Sequence, residues 1–541
     1  MSSKSTGAVY GRTLAPFLLS LLLVGGAAAD NGGFDATTWG WATLLPLVGV
    51  GAALVLGGAR RPDRLALAFL GLVIAFTAWT FLSVAWSDDV TATVLEGERL
   101  LVYVAAAAAF VLLEREQVGW LLLGLVGAAI LIAVWALSLR AFGGSGSYDV
   151  VSVSPAVARR LAEPLGYSNG LGAFAAIGIV LAAGLALQLR RLPLAAPLLV
   201  LVPVLYFTYS RGAWLALAAG TLAAVMAMGR LRRGPAVGIA VAAAAAVAIL
   251  VVRAGGPAAA VRAFSHAPPA VKPGEHRRLL SLSGSSRAQY WHVAWKEYAS
   301  APWLGTGAGT FQRRWLRDRP APLPVLDAHS LYLETLAETG PVGLVLLGGA
   351  LCVPILAALR ARGDPLVAPA LGGYVVFLVH AAQDWDWELP AVTLAALACA
   401  ASLLILGEHA VRRPLSRRTR IGAVAVSGVI ALAAIGAVAG NATLASARGS
   451  VDRDDIAPAL RASRRAELLV AWSPEPWRLH GEALLANGDV DGALGDFRSA
   501  LRKDELDWES WADLALVTRG AEQASALRRA RRLNPLEPVQ P

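Results

Sequence analysis

The chain has 541 residues, of which 56% are hydrophobic and only 16% charged, a balance that excludes an ordinary soluble protein and indicates a polytopic membrane protein. Its net charge of +10 is spread over short arginine-bearing loops between apolar runs, and the lack of a continuous basic face argues against a nucleic-acid partner. The two cysteines, Cys352 and Cys399, sit in apolar segments and support neither a disulfide framework nor a cysteine metal site.

Runs long enough to cross a ~30 Å hydrocarbon core predict about thirteen spans, centred on residues 14–29, 39–59, 65–86, 100–113, 118–138, 171–189, 192–208, 212–229, 235–252, 341–359, 366–382, 390–407 and 421–440. The expected fold is all-α: a transmembrane helical bundle of 12–13 spans over residues 1–440, then a helical soluble domain over 441–541. The first span ends Ala27-Ala28-Ala29, as a cleaved signal peptide would, yet another span follows almost at once, which favours an uncleaved helix.

Basic clusters mark every second connection: Lys4 with Arg12, Arg60-Arg61, Arg115, Arg190-Arg191, Arg232-Arg233, Arg360 with Arg362, and Arg412-Arg413. Such loops stay in the cytoplasm, so the N-terminus is expected inside and residues 441–541 outside. Against that pattern, Arg159-Arg160, Arg211 and the cations of the 253–328 loop stand out on the outer side. Arg211 lies in a tight turn, Tyr206 to Trp214, where it either snorkels to headgroups or forks onto an anion.

The 253–328 loop is the longest polar interruption. Ser285 to Trp295 has amphipathic spacing with Tyr290, Trp291 and Trp295 as an interfacial face. Gly305, Gly307 and Gly309 form either a turn that brings backbone close to a ligand or a plain loop; no strand precedes them and no GK[ST] follows. Beyond the loop, His329-Ser330 opens a stretch containing Glu334, Glu338, Gly340 and Gly343 at the mouth of a span, where burying charge is costly and marks function.

Ser210-Arg211-Gly212 after a span, Arg287 before the Pro302/Gly305/Gly307 turn, and His329-Ser330 with Gly340 and Gly343 occur in that order. The order resembles the O-antigen ligase and polymerase superfamily of polytopic membrane glycosyltransferases, over roughly residues 40–410. Gly166-Tyr167-Ser168-Asn169-Gly170 looks like the family's Asn-containing element. One departure is Trp291, where ligases often carry Leu four residues after the loop arginine. The resemblance implies a GT-C-like fold in a bacterial plasma membrane. It also implies a polyprenyl-diphosphate-linked glycan donor, a lipid, glycan or protein acceptor, and no metal or other cofactor. On that reading Arg211 and Arg287 bind the diphosphate and stabilise the leaving group, and His329 is the general base. Asn169, Tyr209, Ser330, Glu334 and Glu338 are supporting candidates; the two glutamates, at i and i+4, either orient His329 or the acceptor or form a solvated helix face.

His380, Asp384, Asp386 and Glu388 either line the same cavity or, as Trp385 and Trp387 favour, belong to an interface belt. His276 and His292 lack metal-ligand spacing. Ligase, polymerase and protein glycosylation remain open. A flippase of lipid-linked sugars is the rival from another class, and would carry internal repeats and broken or charged mid-span segments; a scaffold is the bland alternative.

The tail fits tetratricopeptide spacing at Trp477, Gly481, Leu484, Ala493, Phe497 and Ala500, with Trp511 and Ala515 each 34 residues beyond Trp477 and Gly481. Glu505 replaces the usual Pro. Two such units bury their faces only on neighbours, so the tail is expected to dock on the membrane domain, a helix near 456–471, or a protein partner.

Overall fold

The computed structural model describes residues 4–56, 59–142, 160–228, 256–265, 283–409 and 412–538, with single positions at 238, 252, 253 and 279. Among these residues there is no strand; a lone bridge joins Arg60 to Pro414. Lipid offers no partner to backbone polar groups, so helices that satisfy themselves are the natural outcome. They are α1 (Lys4–Ala29), α2 (Ala36–Val55), α3 (Arg64–Leu82), α4 (Val90–Val111), α5 (Val118–Phe142), α6 (Ser168–Gln188), α7 (Leu198–Phe207) and α8 (Arg211–Ala227). A loop region contributes α9 (Pro257–Ser265), α10 (Arg287–Ser300) and α11 (Phe311–Asp318). The bundle resumes with α12 (Leu331–Arg360), α13 (Val367–Ala381), α14 (Pro390–Leu406) and α15 (Arg417–Val451).

Helices α1 to α8 and α12 to α15 occupy twelve of the expected spans, while the stretch 235–252 lies almost wholly outside the described residues. Among the described residues six segments are long and apolar enough to cross a membrane: Ala36–Val55, Arg64–Ala85, Arg115–Phe142, Ser168–Gln188, Leu331–Arg360 and Arg417–Val451. Several elements depart from the expected bounds, α4 and α15 among them. Helix α4 begins ten residues before the apolar run at 100–113 and carries Glu96, Glu98 and Arg99 into the bundle. Partners make this tolerable: Arg99 pairs with Glu96 and, at 3.1 Å, with Glu388, while Glu98 accepts from Asn441 at 2.8 Å. Helix α15 runs 35 residues, about 52 Å at 1.5 Å per residue, and continues from a face of exposed Val429, Leu432 and Ile435 into the tail.

Nearly every residue of α6 and α14 is buried, and the core forms around them. The basic connections gather at one end, where Arg61 N donates to Arg413 O at 2.8 Å, Arg115 to Leu406 O at 3.0 Å and Arg412 to Leu113 O at 2.9 Å. At the other end the 160–168, 208–211 and 283–330 segments meet the connection between α13 and α14. Helices α8 and α13 run antiparallel and cross glycine on glycine: a Cβ on Gly220 would lie 2.5 Å from the Gly372 carbonyl oxygen, and one on Gly372 2.8 Å from that of Gly220. Small residues let two backbones approach this closely. The crossing sets Arg211, at the start of α8, beside the chain leaving α13.

The tail folds as α16 (Ile456–Leu469), α17 (Glu475–Ala486), α18 (Val490–Lys503), α19 (Trp508–Val517) and α20 (Gly520–Leu533). Buried Phe497, Ala493, Leu514, Ala515 and Ala526 form its core, and Gly481 leaves room for the Phe497 ring. The tail packs on the loop region through Arg313, which binds Asp504 and Asp89, and through Arg319, which donates to Asn534 at 2.9 Å.

Overpacking the α8/α13 crossing should cost about 1–3 kcal/mol. Gly220→Leu is therefore expected to unfold at a lower temperature in detergent than wild type. Gly422→Leu, on the open face of α15 where an added Cβ meets nothing within 4 Å, should match it. Equal midpoints for Gly220→Leu and wild type would show that the crossing tolerates a side chain.

Candidate functional site

Three separate segments deliver cations to one place. Ser210 caps α8, its Oγ accepting from Ala213 N at 3.2 Å, which makes Arg211 the first helical residue. Arg211 donates to Ser283 O at 2.7 Å and Ser285 Oγ at 3.1 Å. Ser285 and Ser286 both have positive φ, a sharp reversal that starts α10 at Arg287. Arg287 donates to Gln383 O and to Asp384 Oδ2, the latter at 2.7 Å. Arg160 donates to Thr208 O at 2.8 Å and to Asn169 Oδ1.

Asp384 is the hub. It is 1% exposed and accepts from Tyr167 OH at 2.6 Å, Asn169 Nδ2 at 2.8 Å and its neighbour Trp385 N at 3.1 Å, besides Arg287. Burial on its own would raise its pKa, but the Arg287 guanidinium holds the carboxyl well below the usual range. Burial and this carboxylate push the Tyr167 phenol well up, which keeps it a donor.

His329 stands beside the hub, just before α12, with φ of 55°. Its Nδ1 lies 3.1 Å from Asp327 O, and only a protonated Nδ1 can donate there, so Nε2 is left as the acceptor. The ring packs on Tyr290 with centroids 4.8 Å apart. Burial, with Arg287 adding to it against the opposing pull of Asp384, drives the imidazole pKa down to about 4. The histidine is a neutral base at pH 7.

The supporting candidates divide. Asn169 bridges Arg160 to Asp384 and belongs to the hub. Tyr209 is buried in the α7–α8 turn with φ of 48°, and Ser330 precedes α12 with its carbonyl accepting from Glu334 N at 2.9 Å. Glu334 and Glu338 are 6% exposed, so neither lies on a solvated face. Glu334 accepts from Ala328 N at 2.5 Å, bracing the backbone next to His329. Glu338 accepts from Gly309 N at 2.9 Å and Phe311 N at 3.0 Å.

Those bonds decide the glycine turn. Gly305, Gly307 and Gly309 all have positive φ, and their backbone approaches α12 and Ser87 instead of an open site. The Gly307 amide donates to Glu338 O at 2.9 Å and that of Ala308 to Ser83 Oγ at 3.2 Å. No amide of the turn from Gly307 to Gly309 is left for a ligand.

The interface-belt expectation for the α13–α14 connection also gives way. Trp387 is buried and its carbonyl accepts from Tyr103 at 2.8 Å, while Trp385 packs on Tyr167 at 4.4 Å. His380 and Asp386 form a buried pair at 2.8 Å beneath Gly212. Asp384 was therefore masked by its tryptophan neighbours; its signal was a carboxylate beside the stray outer cations, at the end of the bundle opposite the basic connections. A second acidic group, Asp327, Glu334 and Glu388, brings oxygens within 4.8 Å of one another and is the grouping able to hold a cation among the described residues. Arg99 already supplies positive charge to Glu388. Burial and the neighbouring Glu388 push the Asp327 carboxyl well up.

A family model described as O-antigen ligase matches residues 196–348, the stretch holding Arg211, Arg287 and His329, and places the segment in that superfamily. No curated protein compared with the chain matches it.

The depressed histidine can be measured. In a histidine-selective NMR titration of the full-length protein, one imidazole lost in His329→Gln should protonate only as the pH falls toward 4. An ordinary value near 6.5 for that signal would show that His329 is solvated.

Proposed function

We propose that this O-antigen ligase-type membrane protein transfers a glycan from a polyprenyl-diphosphate carrier to an acceptor hydroxyl on the outer face of the membrane, without a metal. The observation that carries the reading is the convergence of Arg211, Arg287 and His329 around Asp384. Three guanidinium groups, Arg160, Arg211 and Arg287, bring positive charges to this end of the bundle near Asp384. A diphosphate diester carries two negative ones.

In the proposed step the acceptor O–H gives its proton to His329 Nε2 as its oxygen attacks the anomeric carbon. The bond from that carbon to the diphosphate oxygen breaks, and the electron pair leaves with the lipid diphosphate, whose growing charge meets Arg211 and Arg287. Asp384 acts through others, holding Arg287 and favouring proton uptake by His329. The placement outside follows from the basic connections at the opposite end of the bundle. The charges of α4 are paired within the bundle, where Glu96 and Arg99 line a cavity with Glu334 and Glu338. Ligation of a finished glycan is the first reading, with repeat-unit polymerisation and protein glycosylation behind it. The helical hairpins of the tail form a tetratricopeptide-like interaction module in this reading.

A deletion strain complemented with Arg211→Ala, Arg287→Ala or His329→Ala tests it. Loss of an anion-stabilising donor should reduce transfer about 10²–10³-fold and loss of the base about 10²–10⁴-fold. Long lipid-linked chains should accumulate if the protein is a ligase, single repeat units if it is a polymerase. Normal glycan from all three variants at equal expression would end the assignment.

A further inference from the structure

A cavity of about 600 Å³, partly open to solvent, lies where the loop region meets the tail, lined by Glu297 of α10, Thr310, Arg313 and Arg317 of the loop region, and Leu506 and Trp508 of the tail. Glu297 is 1% exposed. Its Oε1 accepts from Thr306 at 2.8 Å and Thr310 at 3.1 Å, while its buried Oε2 has no hydrogen-bond partner. A buried carboxylate oxygen left unpaired is costly and calls for a donor. The guanidinium charges nearby are matched: Arg313 binds Asp89 and Asp504, and Arg314 and Arg317 bind Asp318. An anion would face Glu297 without spare positive charge, and an apolar ligand would leave Oε2 unsatisfied. A neutral ligand rich in hydroxyls meets the demands of every wall: an O–H for Glu297, oxygens for Arg317, and a C–H face for the Trp508 ring beside Leu506.

We propose that this junction is a saccharide subsite, in which the tail supplies Trp508 as a platform and α10 supplies Glu297 as the acceptor for a sugar hydroxyl. The location fits a glycan chain that extends from the reacting end. Glu297 lies ten residues beyond Arg287 on one helix, about 15 Å along its axis, a distance of a few sugar residues. This inference rests on the reading of the chain as a glycan transferase, and it gives the tail a part in holding the sugar.

The full-length protein in lipid nanodiscs is titrated with oligosaccharide released by mild acid from the host's own lipid-linked glycan, and binding is followed by saturation-transfer NMR. Wild type and Trp508→Phe should bind, and Trp508→Ala and Glu297→Gln should bind about tenfold more weakly. In transfer assays these two weak binders should raise KM for long-chain donors at unchanged kcat, and should use a one-sugar donor as wild type does. Wild-type affinity in Trp508→Ala, or an equal loss with the one-sugar donor, overturns the subsite. Transfer by wild type with Trp508→Ala indistinguishable from it defeats this inference alone. Oligosaccharide binding that needs Trp508, in a wild type that transfers from no donor, upholds the subsite and defeats the transferase reading.

Discussion

A single buried carboxylate organises the end of the bundle that holds the site. Asp384 cannot be left alone in a low-dielectric interior, where an unpaired charge costs several kcal/mol. It is met by Arg287 from α10, Tyr167 and Asn169 from the start of α6, and through Asn169 by Arg160. Three chain segments far apart in sequence, around 160–169, 287 and 384, are thereby held in register. Removing Asp384 would leave Arg287 buried with no counter-charge, so the same contact that aims the guanidinium also makes its burial affordable. Arg211 donates to a carbonyl and a hydroxyl, Ser283 O and Ser285 Oγ, and so ties the start of α8 to the segment before α10.

The loop that carries His329 is tied down by a different device. Glu334 and Glu338 project from one face of α12 and accept backbone amides on either side of the loop, at Ala328 and at Gly309 and Phe311. Helix α12 itself is interrupted at Gly340, whose φ of 68° and ψ of −173° lie in a region open to glycine almost alone. A side chain there would strike the Trp303 carbonyl oxygen at 2.5 Å. The glycines and glutamates of this motif thus act mostly on the backbone, and they fix the loop that carries His329, the base in the proposed reaction.

Much of this was legible in the sequence, and the misses have physical causes. Apolar runs locate the helices because a bilayer demands them; Arg211 stood out as a cation on the outer side, His329 as an imidazole at the mouth of a span, and Arg287 through the resemblance. Asp384 was hidden because two tryptophans beside a carboxylate read equally well as an interface. Only three dimensions show Trp385 packed at a tilt on Tyr167. The early start of α4 was hidden for a related reason: Glu96, Glu98 and Arg99 look too polar for a bundle until Glu388 and Asn441, some three hundred residues away, are seen to meet them. Periodicity reports on a helix's own face and carries no information about a remote partner.

Arg313 connects these levels. It reaches Asp89, which caps α4 by accepting from Ala92 N at 2.9 Å, and Asp504 at the end of α18 in the tail. Helix α4 carries the Arg99 cluster that neutralises Glu388, one turn of chain beyond Asp384. The tail is consequently joined to the site by a chain of direct contacts: Asp504 to Arg313, Arg313 to the cap of α4, α4 to Glu388. Each link is an ion pair or a capped helix end with a partner of opposite sign, and a guanidinium shared between two carboxylates is held more firmly than by either alone. A soluble domain attached only through α15 would swing on one helix. Anchored at Arg313 as well, it is held at two points, which is the condition for a tail residue such as Trp508 to keep a fixed place against the loop region.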